Sequence, residues 1–182
     1  MSSQWKDIRS RLNQTSHGDL ISLVGELYKL SQQTQLFLET RFGNQQSGLE
    51  EYRLIIEESI CPAEPWKRDV SLSTGRKAIR DYKKALGDPE GLIDLMIYYC
   101  ECGVNFTNQF GDIDEGFYSS IESMYESALQ LLKKHNHCKE IFFTRVEDIV
   151  SNTRNIGWGF HDTLSDIFEE YHEQMGRGIV FV

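Results

Sequence analysis

A short sequence pattern returns at a fixed spacing of 43 residues. Residues 82–86 read Tyr-Lys-Lys-Ala-Leu, and residues 125–129, 43 positions later, read Tyr-Glu-Ser-Ala-Leu. Residues 116–126 and 159–169 agree at the same offset, and each begins with Gly-Phe. Since a recurring unit of this size buries its apolar face only against its neighbours, the chain is constrained to a fold in which successive units stack.

A period of about 40–47 residues is typical of HEAT and armadillo repeats, which are stacked helical hairpins. The sequence therefore predicts an all-α fold of stacked antiparallel hairpins in a single domain, residues 1–182. Residues 1–60 would supply N-terminal helices, and residues 66–182 the repeat portion. Tyr82, Tyr125 and Phe168, which are spaced 43 residues apart, are expected at equivalent buried positions. The apolar residues 178–182 are expected to form a docked tail rather than a strand.

Helix start and stop signals place the boundaries of the predicted helices. The second helix is expected to begin after Ser16, a capping-box-like start, and to continue to Phe42 before Gly43. The fifth begins at Asp88, an N-cap followed by proline, and is expected to stop at Gly103. Residues 105–116 would then form a polar connection. Because the fifth helix is apolar on nearly every side, it should be the most buried, with Met96 and Tyr99 in the main core.

The charge balance limits the classes of partner. The net charge is −9 and the pI is near 5.0, which disfavours general binding to nucleic acid or to anionic membranes. No apolar run approaches the roughly 18–20 residues that span a bilayer, and the N-terminus lacks the apolar stretch of a signal peptide. The four cysteines have no spacing typical of a disulfide framework. We therefore expect a cytoplasmic protein with no membrane partner.

The predicted fourth helix carries a strongly basic surface on this acidic protein. Residues 66–84 contain seven basic and two acidic residues, a net of +5, so the rest of the chain carries −14. At 100° per residue, five cations fall within an arc of roughly 120° opposite the apolar face. We call these five the basic stripe: Arg76, Lys77, Arg80, Lys83 and Lys84. Lys67 and Arg68 lie just upstream.

Two interpretations of the basic stripe remain open. A stripe of this kind can hold a phosphate-bearing or acidic partner. Alternatively, it is a solvated face that pairs with the protein's own acidic side chains, such as Glu122 and Glu126. We expect the internal pairing for Arg80, near the centre of the arc, and an outside anion for Lys83 and Lys84.

Other patterns carry weaker signals. Trp158 lies between two glycines, where it is either a core anchor in a tight turn or a platform for a ligand. The acidic residues 112–115 do not match an EF-hand loop and are expected to start the sixth helix. Residues 100–102 and 135–138 contain Cys and His pairs that lack the two-residue gaps of zinc knuckles. We predict no metal site, no cofactor and no catalytic residue.

Four segments together resemble a family of uncharacterised bacterial proteins of about this length. They are residues 19–28, 78–84, 106–114 and 157–162, so the resemblance extends over nearly the whole chain. It implies a small, soluble, all-helical protein with no established activity, and it carries over no functional residues.

Three functions are compatible with these patterns, and the least specific of them is a plain structural subunit whose partner is encoded nearby. The first is a non-enzymatic helical-repeat protein that binds another protein or an acidic ligand. The second is a helical nuclease or toxin-like component of a bacterial conflict system, in which Arg154 and His161 would act together over a cleft. A structure in which those two side chains meet would favour the second.

Overall fold

The computed structural model describes residues 3–67 and 69–176, and all regular structure in them is helical. The prediction of an all-α fold is confirmed, whereas the predicted tail at residues 178–182 lies outside the described residues. The helices are α1 (Ser3–Leu12), α2 (His17–Leu30), α3 (Gln32–Phe42), α4 (Gln45–Ile60), α5 (Leu72–Ala85), α6 (Pro89–Phe110), α7 (Glu115–Lys134), α8 (Lys139–Ser151) and α9 (Phe160–Gly176). A short 3₁₀ turn, Asn136–Cys138, precedes α8.

Consecutive helices pack in pairs around one continuous core. The pairs α4–α5, α6–α7 and α8–α9 are in contact, and each first helix touches the next, α4 on α6 and α6 on α8. Helix α7 also packs on α9, and α3 covers the start of this assembly by contacting α4 and α5. The result is a single helical domain in which α6 lies in the middle.

The position of α6 follows from its composition, as the sequence predicts. Asp88 caps its first turn by accepting a hydrogen bond from Gly91 N at 2.7 Å, and Pro89 occupies the first turn. Apolar residues on every side leave no wide polar face, so the helix is surrounded by others. Met96 and Tyr99 both belong to the buried core.

The predicted stop of this helix at Gly103 is wrong. Helix α6 continues to Phe110 and ends at Gly111, whose φ of 90° is the left-handed conformation that favours glycine. Gly103 is buried inside the helix because Ile121 of α7 packs against it, and a Cβ there would lie 2.4 Å from Ile121 Cδ1. Its small size permits a close helix contact instead of a turn, so the expected connection shrinks to residues 111–114.

The long second helix predicted to end at Phe42 is in fact two helices, α2 and α3. Ser31 separates them with an extended backbone, φ −157° and ψ 149°, and its side chain accepts a hydrogen bond from Thr34 N at 3.1 Å. A serine that caps the next helix competes with continuation of the previous one. Because apolar residues continue on both sides of Ser31, the sequence pattern did not indicate this break.

The three aromatic residues that are spaced 43 positions apart are not buried to the same extent. Tyr82 and Tyr125 are buried, but Phe168 is only half-buried, and Tyr171 on the same helix takes the buried position. Helix α9 packs on α7 and α8, and it is the last helix in the part of the chain that the structure describes, so no further described helix covers its outer surface. The expectation of three equally buried rings is therefore wrong for the last one.

Candidate functional site

Helix α5 presents the basic stripe on its outer face because its opposite face is buried in the core. Ser71 caps the helix by accepting a hydrogen bond from Thr74 N at 3.4 Å. Ala78, Ile79 and Tyr82 are buried against the neighbouring helices, and this burial fixes which way the cations point. The structure then divides the stripe into parts with different surroundings.

Two of the five cations are paired on their own helix. Lys77 Nζ donates to Asp81 Oδ2 at 2.6 Å, and Lys84 Nζ donates to Asp81 Oδ1 at 3.1 Å. Gln33 of α3 also donates to Asp81 Oδ2, at 2.9 Å. Burial favours the neutral carboxyl, but the two lysines outweigh it and lower the pKa of Asp81. Lys84 is thus paired within the chain, and its binding of an outside anion stays a prediction.

Arg76 is anchored to α7 by neutral partners. Its Nε donates to Ser120 Oγ at 2.9 Å, and its Nη2 donates to Ser120 O at 2.6 Å and to Ser123 Oγ at 2.5 Å. The guanidinium also lies 5.6 Å from the ring centroid of Tyr99. These contacts join α5 to α7, so Arg76 has a structural role.

Replacing Arg76 with glutamine should lower the free energy of unfolding by about 1–2 kcal/mol, because the shorter side chain loses several charge-assisted hydrogen bonds. The matched control is Arg80→Gln, one turn later on the same helix, which should stay within about 0.5 kcal/mol, as surface substitutions usually do. Urea denaturation measures both. Equal losses in the two variants would show that Arg76 does not join the helices.

Arg80 and Lys83 border a groove between α5, α6 and α7. Neither forms an ion pair within the described residues, contrary to the expectation that an acidic neighbour covers Arg80. Lys134, at the end of α7, and Arg76 complete the basic rim. The rest of the lining is mainly apolar, with Ser127 and Gln130 as neutral polar residues, and its apolar floor consists of Ile79, Leu92, Met96, Met124 and Leu131. The cleft encloses about 380 Å³ and has no acidic side chain in its lining, and we call it the basic groove.

Two of the remaining predicted binding residues, Lys67 and Trp158, lie elsewhere. Lys67 is paired with Glu64 of its own loop at 2.7 Å, and Arg68 lies outside the described residues. Trp158 is 70% exposed in the turn between α8 and α9, with a positive φ of 62°. The core-anchor interpretation of Trp158 is therefore wrong. Neither Lys67 nor Trp158 lines the basic groove.

A second charged cluster, not anticipated from the sequence, connects the first helices of the three pairs. Asp94 of α6 is 5% exposed and accepts from Arg53 of α4, Nε at 2.8 Å and Nη2 at 2.5 Å. Arg145 of α8 donates to Asp94 Oδ1 at 2.6 Å, and with its Nε and Nη2 to both carboxylate oxygens of Glu101 at 2.7 Å.

The charges of this cluster are satisfied internally. Burial would lower the pKa of Arg145, but Glu101 and Asp94 outweigh it and raise the pKa. The hydrogen bond to Asp94 raises the pKa of Arg53. Both guanidiniums line a cleft of about 530 Å³, yet their donors are already directed at carboxylates. We therefore assign this cluster to holding the helices together. The sequence contains one indication of this cluster. Arg53 and Asp94 are oppositely charged and 41 residues apart, and Glu101 and Arg145 are oppositely charged and 44 residues apart.

The acidic connection before α7 has the capping role that the sequence predicts. Asp114 Oδ1 accepts from Phe117 N at 2.9 Å and so starts α7. Asp112 accepts from Tyr118 Oη at 3.1 Å. In the part of the chain that the structure describes, no group of three or more His, Cys, Asp or Glu residues could hold a metal ion.

Arg154 and His161 are not brought together by a direct hydrogen bond in the described residues. His161 Nδ1 lies 2.9 Å from Thr153 Oγ1, whereas Arg154 is exposed just after α8. Among the described helices, none is both long and apolar enough to cross a bilayer.

No protein-family model, curated protein or solved structure matches the chain. The resemblance to a bacterial family therefore stays a prediction, and the function has to be inferred from the geometry of the site.

Proposed function

We propose that the protein is a non-enzymatic helical-repeat protein whose basic groove binds an acidic segment of another protein, or another acidic ligand. One observation carries the proposal: Arg80, Lys83 and Lys134 meet around an apolar cleft that has no acidic side chain in its lining. On a chain with a net charge of −9, such a cleft is a local positive field that attracts anions.

The repeat interpretation is supported by contacts between residues about one period apart. Side chains on each pair of helices repeatedly bond to residues 41–44 positions away, which is the spacing expected between equivalent places in stacked hairpins. These bonds are Arg41 to Ala85, Arg53 to Asp94, Arg76 to Ser120, Arg145 to Glu101, Asn108 to Asn152 and Lys133 to Gln174. A HEAT- or armadillo-like arrangement would place the basic groove between successive hairpins, where repeat proteins offer extended binding surfaces.

The chemistry of the groove favours an amphipathic acidic ligand. Met96 and Met124 in the floor are flexible and adapt to irregular apolar partners. A short helix with apolar residues at i, i+3 and i+4 could rest on this floor, with its carboxylates facing the rim. Arginine and lysine donors strengthen such contacts through charge-assisted hydrogen bonds.

The proposal is tested by selecting ligands from a random peptide library displayed on phage. We expect enrichment of sequences that combine Asp or Glu with Leu, Met or Phe at helical spacing. Synthetic copies of the selected peptides should bind the purified protein in fluorescence anisotropy, with affinity that falls as salt is added. Replacing Arg80 and Lys83 with glutamine should weaken binding by about 10-fold or more, because two uncompensated cations are lost.

The matched control is the double variant Lys77→Gln, Lys84→Gln. It removes the same two charges from the same helix, but from side chains that already pair with Asp81. We expect its affinity for the selected peptides to stay within about 3-fold of the parent, since long-range charge is screened within about 10 Å. Equal weakening in both double variants, or selection of peptides without acidic residues, would contradict binding in the basic groove.

The nuclease or toxin-like alternative has less support. It requires Arg154 and His161 to act on one substrate, and the ring of His161 is instead hydrogen-bonded to Thr153. Four free cysteines, three of them buried, suit a reducing compartment, so location in a bacterial cytoplasm forms part of the main proposal.

A further inference from the structure

Helices α1 and α2 present large apolar side chains to solvent. Neither helix contains a buried residue. Seven large apolar side chains on them are between 37% and 74% exposed. They are Trp5, Ile8, Ile21, Leu23, Val24, Leu27 and Leu30. Apolar side chains that follow one another along a helix mark an interaction site, whereas singly scattered residues do not.

The lengths of these helices strengthen the argument. Helix α1 has 10 residues and α2 has 14, and isolated helices shorter than about 12–15 residues are marginal in water. Helix α2 is supported on one side by α3, where Tyr28 Oη donates to Glu39 Oε1 at 2.5 Å. That contact leaves Leu23, Leu27 and Leu30 exposed, so burial against something else would stabilise both helices.

Each helix has an ordered apolar stripe. At 100° per residue, Trp5, Ile8 and Leu12 of α1 fall within an arc of about 60°. On α2, residues Leu20, Leu23, Val24 and Leu27 fall within about 100°. Stripes of these widths match the seams through which helices pack against one another.

The charges beside the two stripes are complementary. Helix α1 carries Lys6, Arg9 and Arg11 against Asp7, a net of +2, and exposed Arg9 lies beside its stripe. Helix α2 carries Asp19 and Glu26 against Lys29, and exposed Glu26 lies beside its stripe. A basic helix and an acidic helix on the same chain can pair with their counterparts in a second copy.

The overall charge also favours this region for self-association. Residues 3–30 carry a net charge of +1, so the remainder of the −9 chain carries −10. Two acidic copies repel least where they approach through α1 and α2. The same acidic remainder disfavours an anionic membrane as the occupant of this surface.

We infer that α1 and α2 form the interface of a homodimer with two-fold symmetry, in which α1 of each copy packs on α2 of the other. A two-fold interface uses the same patch twice, so the pairing of α1 with α2 occurs in both directions. A standard interface needs about 800 Å² from each partner, with an apolar centre and a polar rim. The seven exposed side chains supply the centre, and Arg9 and Glu26 belong to the rim.

Sedimentation equilibrium over a wide range of protein concentration tests the inference. The full chain should approach twice its mass of 21.1 kDa as concentration rises. Replacing Leu23 and Leu27 with glutamate should weaken dimerisation by about 100-fold or more, since each change buries a charge at the centre of the interface. The control is Leu54→Glu on α4, a leucine that is 51% exposed outside this region, which should leave the dimer unchanged. Circular dichroism verifies that all variants stay helical.

A charge exchange tests the pairing of α1 with α2 directly. Arg9→Glu and Glu26→Lys should each weaken self-association, because each places like charges across the interface. An equal mixture of the two variants should recover the dimer. In the mixed dimer the introduced carboxylate of one chain faces the introduced amine of the other, and the second half of the interface keeps the native pair of Arg9 and Glu26. Failure of the mixture to recover, with both single variants weakened, would overturn the pairing of α1 with α2.

Three other outcomes would overturn the homodimer. One is a monomer at every concentration. Another is a dimer that the double glutamate variant leaves unchanged. The third is a monomeric chain that co-sediments with vesicles of phosphatidylcholine and phosphatidylserine and loses this binding on the same double substitution, which would assign the surface to membranes.

Discussion

Replacing Asp94 with alanine should lower the free energy of unfolding by about 2–4 kcal/mol, one of the two largest effects we expect in this chain. The substitution leaves the guanidiniums of Arg53 and Arg145 without their shared carboxylate. Removing one partner of a buried ion pair costs about 3–5 kcal/mol. Here the arginine side chains are 28% and 27% exposed, so hydration of the two guanidiniums offsets part of the lost stability. Urea denaturation of the purified protein measures it.

Two further variants make this experiment decisive. Glu50→Ala removes the exposed partner of Arg53 and should cost less than about 1 kcal/mol, because exposed ion pairs contribute little. Combining Asp94→Ala with Arg53→Met should be less destabilising than the sum of the two single changes, since one unpaired guanidinium is gone. A loss below about 1 kcal/mol for Asp94→Ala would mean that the cluster does not hold the first helices together.

Replacing Gly103 with valine should cost at least about 2 kcal/mol, measured by the same denaturation, because it forces α6 and α7 apart. A Cβ at this position would lie 2.4 Å from Ile121 Cδ1 and 2.8 Å from Cγ1, and Ile121 is fully buried. Overpacking of this kind typically costs about 1–3 kcal/mol, and the branched side chain adds to it.

A size exchange separates the packing effect from helix propensity. Adding Ile121→Ala to Gly103→Val moves side-chain volume across the contact and should be less destabilising than the two single changes together. The control Gly25→Ala lies in the middle of α2, where a Cβ meets nothing within 4 Å, so it should cost nothing. If Gly103→Val were as harmless as Gly25→Ala, the close contact of α6 with α7 would be wrong.

Much of the fold was predictable because the signals were local. The N-cap at Asp88, the apolar composition of α6 and the end of the N-terminal helices at residue 60 were predicted from the sequence, and the structure contains all three. The failures at Ser31 and Gly103 have different physical causes. Ser31 ends α2 because its side chain caps α3, a local signal that the continuing apolar pattern outweighed in the prediction. Gly103 stays inside α6 because Ile121 of α7 packs against it, and the sequence around Gly103 does not show that contact.

The candidate site was predictable only in part. The sequence placed five cations on one arc of α5, but the partners that distinguish Arg76 from Arg80 lie on α7. Lys134 joins the groove through the stacking of helices that are distant in sequence. The pairing of Lys77 and Lys84 with Asp81 could have been predicted from the sequence, because residues three and four apart on a helix are neighbours.

The side-chain contacts between residues 41–44 positions apart determine whether a pair of helices can be removed from this chain. In many repeat proteins each unit contacts only its neighbours, so units can be added or removed without much loss. Here Asp94 is shared by an arginine from the preceding pair of helices and an arginine from the following pair. Deleting either outer pair would leave a buried carboxylate with half its partners. We therefore expect the three pairs to fold only as one block, so that removing the helices before α4 should be tolerated better than removing either outer pair.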